Sequence, residues 1–98
     1  MSVKPGLTPK REREIPEYAA MVRRVNMALG RRVGDADVED LAELLAMRGV
    51  VEQATATAIR GMRRRGVSWG DIGRGLGVTR QAAHAAWAWV ESLDHGPR

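Results

Sequence analysis

The chain has 98 residues, 44% of them apolar, with 16 Lys and Arg against 12 Asp and Glu for a net charge of +4. That length suits one compact domain, or a domain with a tail, and so short a chain buries only part of its surface, so dimerisation or extra helix packing would add stability. Cysteine is absent, which excludes disulfides, thiol catalysis and cysteine-ligated zinc and agrees with a reducing compartment.

Three Trp, one Tyr and no Phe leave the core to Leu, Val, Ile, Met and Ala, with the five methionines as core filler. Residues 1–34 hold eight Lys and Arg against three Glu, a net of +5. Residues 35–59 hold six acids against Arg48, a net of −5, and residues 60–80 hold six Arg against Asp71, again +5. Two basic blocks around an acidic segment make one face of the molecule basic, and a polyanion is the natural partner of such a face. The plainer reading is a solvated surface pattern. Met1-Ser2-Val3-Lys4-Pro5 lacks the apolar core of a signal peptide, and no apolar run approaches membrane-spanning length. The expectation is a cytoplasmic, nucleoid-associated protein without membrane contact.

In chain order, residues 1–14 read as a flexible basic arm, with Pro5-Gly6, Thr8-Pro9 and the run Lys10-Arg11-Glu12-Arg13-Glu14. Such an arm could enter a minor groove. Pro16 then sits where a first-turn proline belongs. Ile15, Tyr18, Val22, Val25 and Leu29 follow at 3-4-3-4 spacing, a narrow coiled-coil-like seam, and Gly30 and Gly34 bracket the stop. Asp35 or Asp37 can cap the next helix, whose acidic first turn suits the helix dipole. Its apolar stripe predicts one long helix to about Arg65, tolerating Gly49 and Gly61 at about 1 kcal/mol each, with a break near Arg48-Gly49 as the alternative.

The stretch SWGDIGRGLGVTRQAAHAAW carries the local signals of two short helices. Ser68 and Asp71 form the pattern of a capping box, and Val67 with Ile72 that of a hydrophobic staple. Gly77 stands where a turn requires positive φ, and Thr79 is a good N-cap for a helix from Arg80 to about residue 93. Two short helices joined by a glycine-containing turn of three or four residues constitute a helix-turn-helix. A phosphate-cradling loop is the rival reading of this glycine-rich run, but the lysine and its Ser/Thr neighbour are missing.

Ile72, Gly73, Leu76, Gly77, Val78, Ala83 and Ala86 match the helix-turn-helix pattern, and the segment resembles that of small actinobacterial and actinophage regulators and, more distantly, the DNA-binding region of sigma factors. The resemblance covers about a quarter of the chain, and residues 1–50 carry no motif that belongs to it. It implies a helix-turn-helix that binds double-stranded DNA in the major groove as a transcriptional regulator, a repressor or phage control protein. With the helical stripes before it and few residues after it, the expected fold is all-α, a helical hairpin plus a three-helix helix-turn-helix unit without a wing.

With Ala83, Ala86 and Val90 facing inward, Thr79, Arg80, Gln81 and His84 would lie on the outward face near the helix start, the part that this class presents to base edges. Arg80 can pair bidentately with guanine and Gln81 with adenine. Ser68, Trp69, Arg63, Arg64 and Arg65 are the candidate phosphate contacts. Trp69, beside the capping serine, reads first as a lid on the core with its indole N–H near a phosphate, and Trp87 and Trp89 as core or dimer contacts rather than base-stacking platforms. His84, Glu91 and His95 share a face but make a poor metal site, and no nucleophile–base pair or carboxylate dyad suggests an enzyme or a cofactor. The acidic middle segment, which DNA would repel, makes its Leu-rich stripe and the seam of the first helix the candidate homodimer interface, unless the two stripes satisfy each other within one chain. The alternative function is a protein-interaction module for RNA polymerase, a sigma factor or another regulator. Non-specific, nucleoid-type binding is a third.

Overall fold

The computed structural model describes residues 9–92, with side chains from Glu14 onward. Among these residues the chain is all-helical and has no strand. The helices are α1 (Pro9–Gly34), α2 (Leu41–Arg64), α3 (Trp69–Leu76), α4 (Arg80–Trp87) and the single turn α5 (Trp89–Ser92), with a 3-10 turn at Val38–Asp40 before α2. No described helix is long and apolar enough to cross a membrane. The chain divides into two compact units, one through Leu45 and one from Ala46. The boundary falls inside α2.

The first unit contains α1 and the start of α2. Here the structure corrects the arm expected over residues 1–14, because the helix begins at Pro9 and carries Pro16 in its interior. Lys, Arg and Glu are strong helix formers, and their run over residues 10–14 continues the helix past a proline that costs one backbone hydrogen bond. Residues 1–8 of that arm lie outside the described residues. After α1, the Asp37 backbone N–H donates to the Asp40 carboxylate at 3.3 Å, which anchors the turn into α2. The seam of α1 is open: Ile15 is 70% exposed, Tyr18 and Val25 62% each. Leu41 and Leu45, which start the stripe of α2, are exposed too, whereas Leu29 and Leu44 are half-buried.

The second unit is built on the C-terminal part of α2, which runs unbroken through Gly49 and Gly61. A Schellman motif ends it: Gly66 adopts φ +87°, its N–H donates to the Arg63 carbonyl, and that of Val67 reaches back to the Met62 carbonyl, each at 3.0 Å. The chain thereby turns into α3. Ala56 and Ile59 of α2, Trp69 and Ile72 of α3, Ala83 of α4 and Val90 of α5 form the core, with Val67, Trp87 and Ala88 packed against it. The i, i+3 spacing of the first two pairs puts each pair on one helix face. Each large apolar side chain in such a core contributes about 1.5–3 kcal/mol.

The recognition helix expected over about residues 79–93 is shorter than that. It runs to Trp87, turns at Ala88 and resumes as α5. The indoles of Trp87 and Trp89 stack with centroids 6.1 Å apart and planes 28° from parallel. Side chains two apart on a regular α-helix do not face each other, so this stacking goes with a locally tightened backbone. The Glu91 N–H accordingly donates to the Ala88 carbonyl, three residues back, at 3.1 Å.

Candidate nucleic-acid interface

The helix pair α3–α4 is set by local chemistry at three points. The Ser68 hydroxyl accepts the Asp71 N–H at 3.1 Å and starts α3. The capping box expected there is half formed: the Asp71 carboxylate binds Arg74 at 2.7 Å, one turn further on. Gly77, at φ +76°, ends α3 in a second Schellman motif, with its N–H on the Arg74 carbonyl at 3.2 Å and that of Val78 on the Gly73 carbonyl at 2.8 Å. The Thr79 hydroxyl then accepts the Ala82 N–H at 3.0 Å and starts α4. Val67, the expected staple residue, packs against the cluster that contains Ile72.

Gly73 sets how closely the turn lies on α3. A Cβ at this position would stand 2.8 Å from the Val78 carbonyl oxygen and 3.0 Å from that of Thr79. The obstruction is main chain, which cannot swing aside, so α3 and the turn meet closely only because residue 73 lacks a side chain.

With α3 and the turn so held, Ala83 is fully buried and anchors the inner side of α4. Thr79, Arg80, Gln81 and His84 are all exposed, on the first two turns. Ala86 is exposed as well, contrary to its expected place inward; Trp87 and Ala88 supply the contact with the core instead. Arg74 stands exposed on α3, its charge shared with Asp71. The sequence reading did not single out Arg74, although Asp three residues before Arg on a helix signals such a pair.

Two of the residues first read as phosphate contacts have structural work. Trp69 is only 6% exposed and belongs to the core. Its indole meets the His84 ring edge-on, with centroids 5.4 Å apart, and the Arg63 guanidinium lies over it at 5.1 Å. Arg63 also donates through Nε to Glu91 at 3.1 Å and through Nη1 to the Val67 carbonyl at 2.9 Å. One half-buried guanidinium thus joins the end of α2, the entry to α3 and α5. Arg64 and Arg65 are exposed beside it, and Ser68, exposed, serves as the cap described above. His95, the third member of the weak metal constellation, lies outside the described residues.

Comparison with protein-family models, with curated proteins and with solved structures finds no match.

Proposed function

We propose that this chain binds a defined sequence in double-stranded DNA through α3 and α4 and acts as a transcriptional regulator of the helix-turn-helix type. One observation carries the reading: the first turns of α4 expose Thr79, Arg80, Gln81 and His84, while Ala83, on the same helix, is buried in the core. A helix gripped from behind in this way fits the major groove, about 12 Å wide, and presents its N-terminal residues to base edges. Arg80 offers the fork that guanine O6 and N7 accept, and Gln81 the paired donor and acceptor that adenine matches.

The Thr79 hydroxyl accepts the Ala82 N–H and keeps its own proton to donate to a phosphate oxygen. The N-terminal N–H groups of α4 point the same way and favour an anion. His84 keeps an exposed edge beside its contact with Trp69. Arg64, Arg65 and Arg74, on neighbouring parts of the same unit, would supply phosphate contacts that fix orientation without reading sequence. The reading includes a cytoplasmic, nucleoid-associated location and a second copy of the chain as partner, and it assigns no catalytic step.

The test is selection of bound sequences from a random duplex library at near-physiological salt. An enriched motif that a duplex of scrambled sequence fails to compete for is the expected result. Salt-dependent retention without enrichment would replace the proposal with non-specific binding. A stable complex with RNA polymerase or a sigma factor, and none with DNA, would replace it with a protein-interaction module.

A further inference from the structure

We infer that, on the DNA reading above, His84 is a specificity-determining residue that selects guanine, and that Trp69, braced by Arg63, is the positioning residue that holds its ring. The first observation is a difference among the exposed residues of α4. Arg80 and Gln81 are long, flexible side chains that lose much rotamer freedom when they settle on a base. His84 is exposed as they are, yet its ring already rests on a wall. It meets the Trp69 indole with centroids 5.4 Å apart and planes 83° apart, the edge-to-face geometry that aromatic pairs favour.

The wall is itself held. Trp69 is 6% exposed and sits in the core with Ile59, Ile72 and Ala83. The Arg63 guanidinium lies over the indole at 5.1 Å. That guanidinium is fixed from two further sides, by Glu91 at 3.1 Å and by the Val67 carbonyl at 2.9 Å. A chain of contacts therefore runs from Glu91 through Arg63 and Trp69 to His84, and so from α5 and the end of α2 to the exposed face of α4.

His84 follows Arg80 by four residues and Gln81 by three, so it shares their helix face one turn further on. The base pair within its reach adjoins theirs. A side chain placed before DNA arrives gives up little freedom on binding, and it cannot swing to suit a wrong base edge as a flexible one does. An imidazole N–H is a donor. In the major groove guanine sets two acceptors, N7 and O6, side by side, whereas adenine places an amino donor beside its N7 and cytosine presents an amino donor. A ring fixed in one pose thus matches guanine best.

The experiment has two arms, both on the full chain. Without DNA, three-bond NMR couplings report the χ1 rotamer of His84. One rotamer is expected in the wild type and in Trp69→Phe, which keeps an aromatic wall, and averaging over rotamers in Trp69→Leu. With DNA, duplexes that carry each base substitution in the selected site compete for the chain. His84→Ala should lose about three- to tenfold discrimination at one G·C pair, the worth of about one hydrogen bond, and keep its preferences elsewhere. Trp69→Leu should lose discrimination at that same pair, Trp69→Phe should retain it, and the double variant should be no worse there than His84→Ala. If circular dichroism shows Trp69→Leu unfolded, Arg63→Met replaces it in both arms, with a smaller effect of the same sign.

Rotamer averaging of His84 in the wild type overturns the positioning role. So does a Trp69→Leu chain that weakens binding to every duplex alike, which is the mark of a purely structural residue. Unchanged preferences in His84→Ala overturn its part in specificity, and a loss confined to an A·T pair overturns the choice of guanine. A library that yields no motif removes the DNA reading and the base assignment together, while the couplings still decide whether Trp69 holds His84.

Discussion

Arg63, in the last turn of α2, and Glu91, in α5, stand 28 positions apart and meet at 3.1 Å. The pair is partly exposed, so its Coulomb energy alone is small. Arg63 adds the bond to the Val67 carbonyl and the stacking on Trp69. Truncation to alanine should therefore lower stability by about 1–2 kcal/mol, the sum of several modest interactions. Glu91→Gln should cost less, about 0.5 kcal/mol. Urea denaturation of both single variants and the double variant gives the coupling directly, and additive losses would dissolve the clamp.

Gly73 and Gly75 lie two apart on α3 in opposite circumstances. A methyl group at residue 73 meets two backbone carbonyls, whereas one at residue 75 meets nothing within 4 Å. Gly73→Ala should destabilise by about 1–3 kcal/mol through forced backbone movement. Gly75→Ala should stabilise by about 0.5–1 kcal/mol by restricting the unfolded chain. The same gain is expected for Gly49→Ala and Gly61→Ala in α2, which also have open space around them. Thermal denaturation ranks all four, and equal effects at residues 73 and 75 would contradict the close approach.

The two hydroxyl caps invite the same measurement. Ser68→Ala and Thr79→Ala each leave an N–H without its side-chain acceptor and should cost about 1 kcal/mol. Gly77→Ala must adopt the left-handed backbone at φ +76° and should cost about 1–2 kcal/mol, with asparagine milder.

On the proposed function, Arg80→Ala with Gln81→Ala should erase sequence preference while leaving helicity intact, since both side chains are exposed. Arg65→Gln should weaken binding to all sequences alike and lower the slope of log affinity against log salt by about one unit. Arg63→Met should leave that slope unchanged, because its guanidinium is occupied by Glu91 and Val67. Titration with labelled duplex at three or more salt concentrations separates these outcomes.

The parts of this fold legible in the sequence are those fixed within four or five residues. Ser68, Gly77 and Thr79 each bond or bend locally, so the limits of α3 and the start of α4 follow from residue type alone. The same holds for α2, whose stripe outweighs two glycines. The start of α1 was misplaced because Pro16 is a strong local signal for a helix beginning, and the helix propensity of the charged run before it proved stronger. The end of α4 depends on two indoles stacking across Ala88, which no period reveals. Trp69 was legible as a lid on the core, but the role of Arg63 was not, for a third reason: an arginine beside a helix-turn-helix looks like a phosphate ligand until its partner 28 residues away is known. Ala86 illustrates a limit of pattern matching, since its place in the motif implied burial and the turn at Ala88 brought Trp87 inward instead.

The contact at Gly73 has a consequence for how such a molecule could diversify. The register of α3 and the turn is fixed by main-chain carbonyls, and the grip on α4 by Ala83. None of the exposed side chains at positions 80, 81 and 84 is needed for either, beyond the edge contact of His84 with Trp69. Substitutions at Arg80 and Gln81 are therefore nearly free of folding cost. On the proposed function, descendants of one ancestral chain could drift to new target sites through a handful of codons while inheriting the scaffold unchanged.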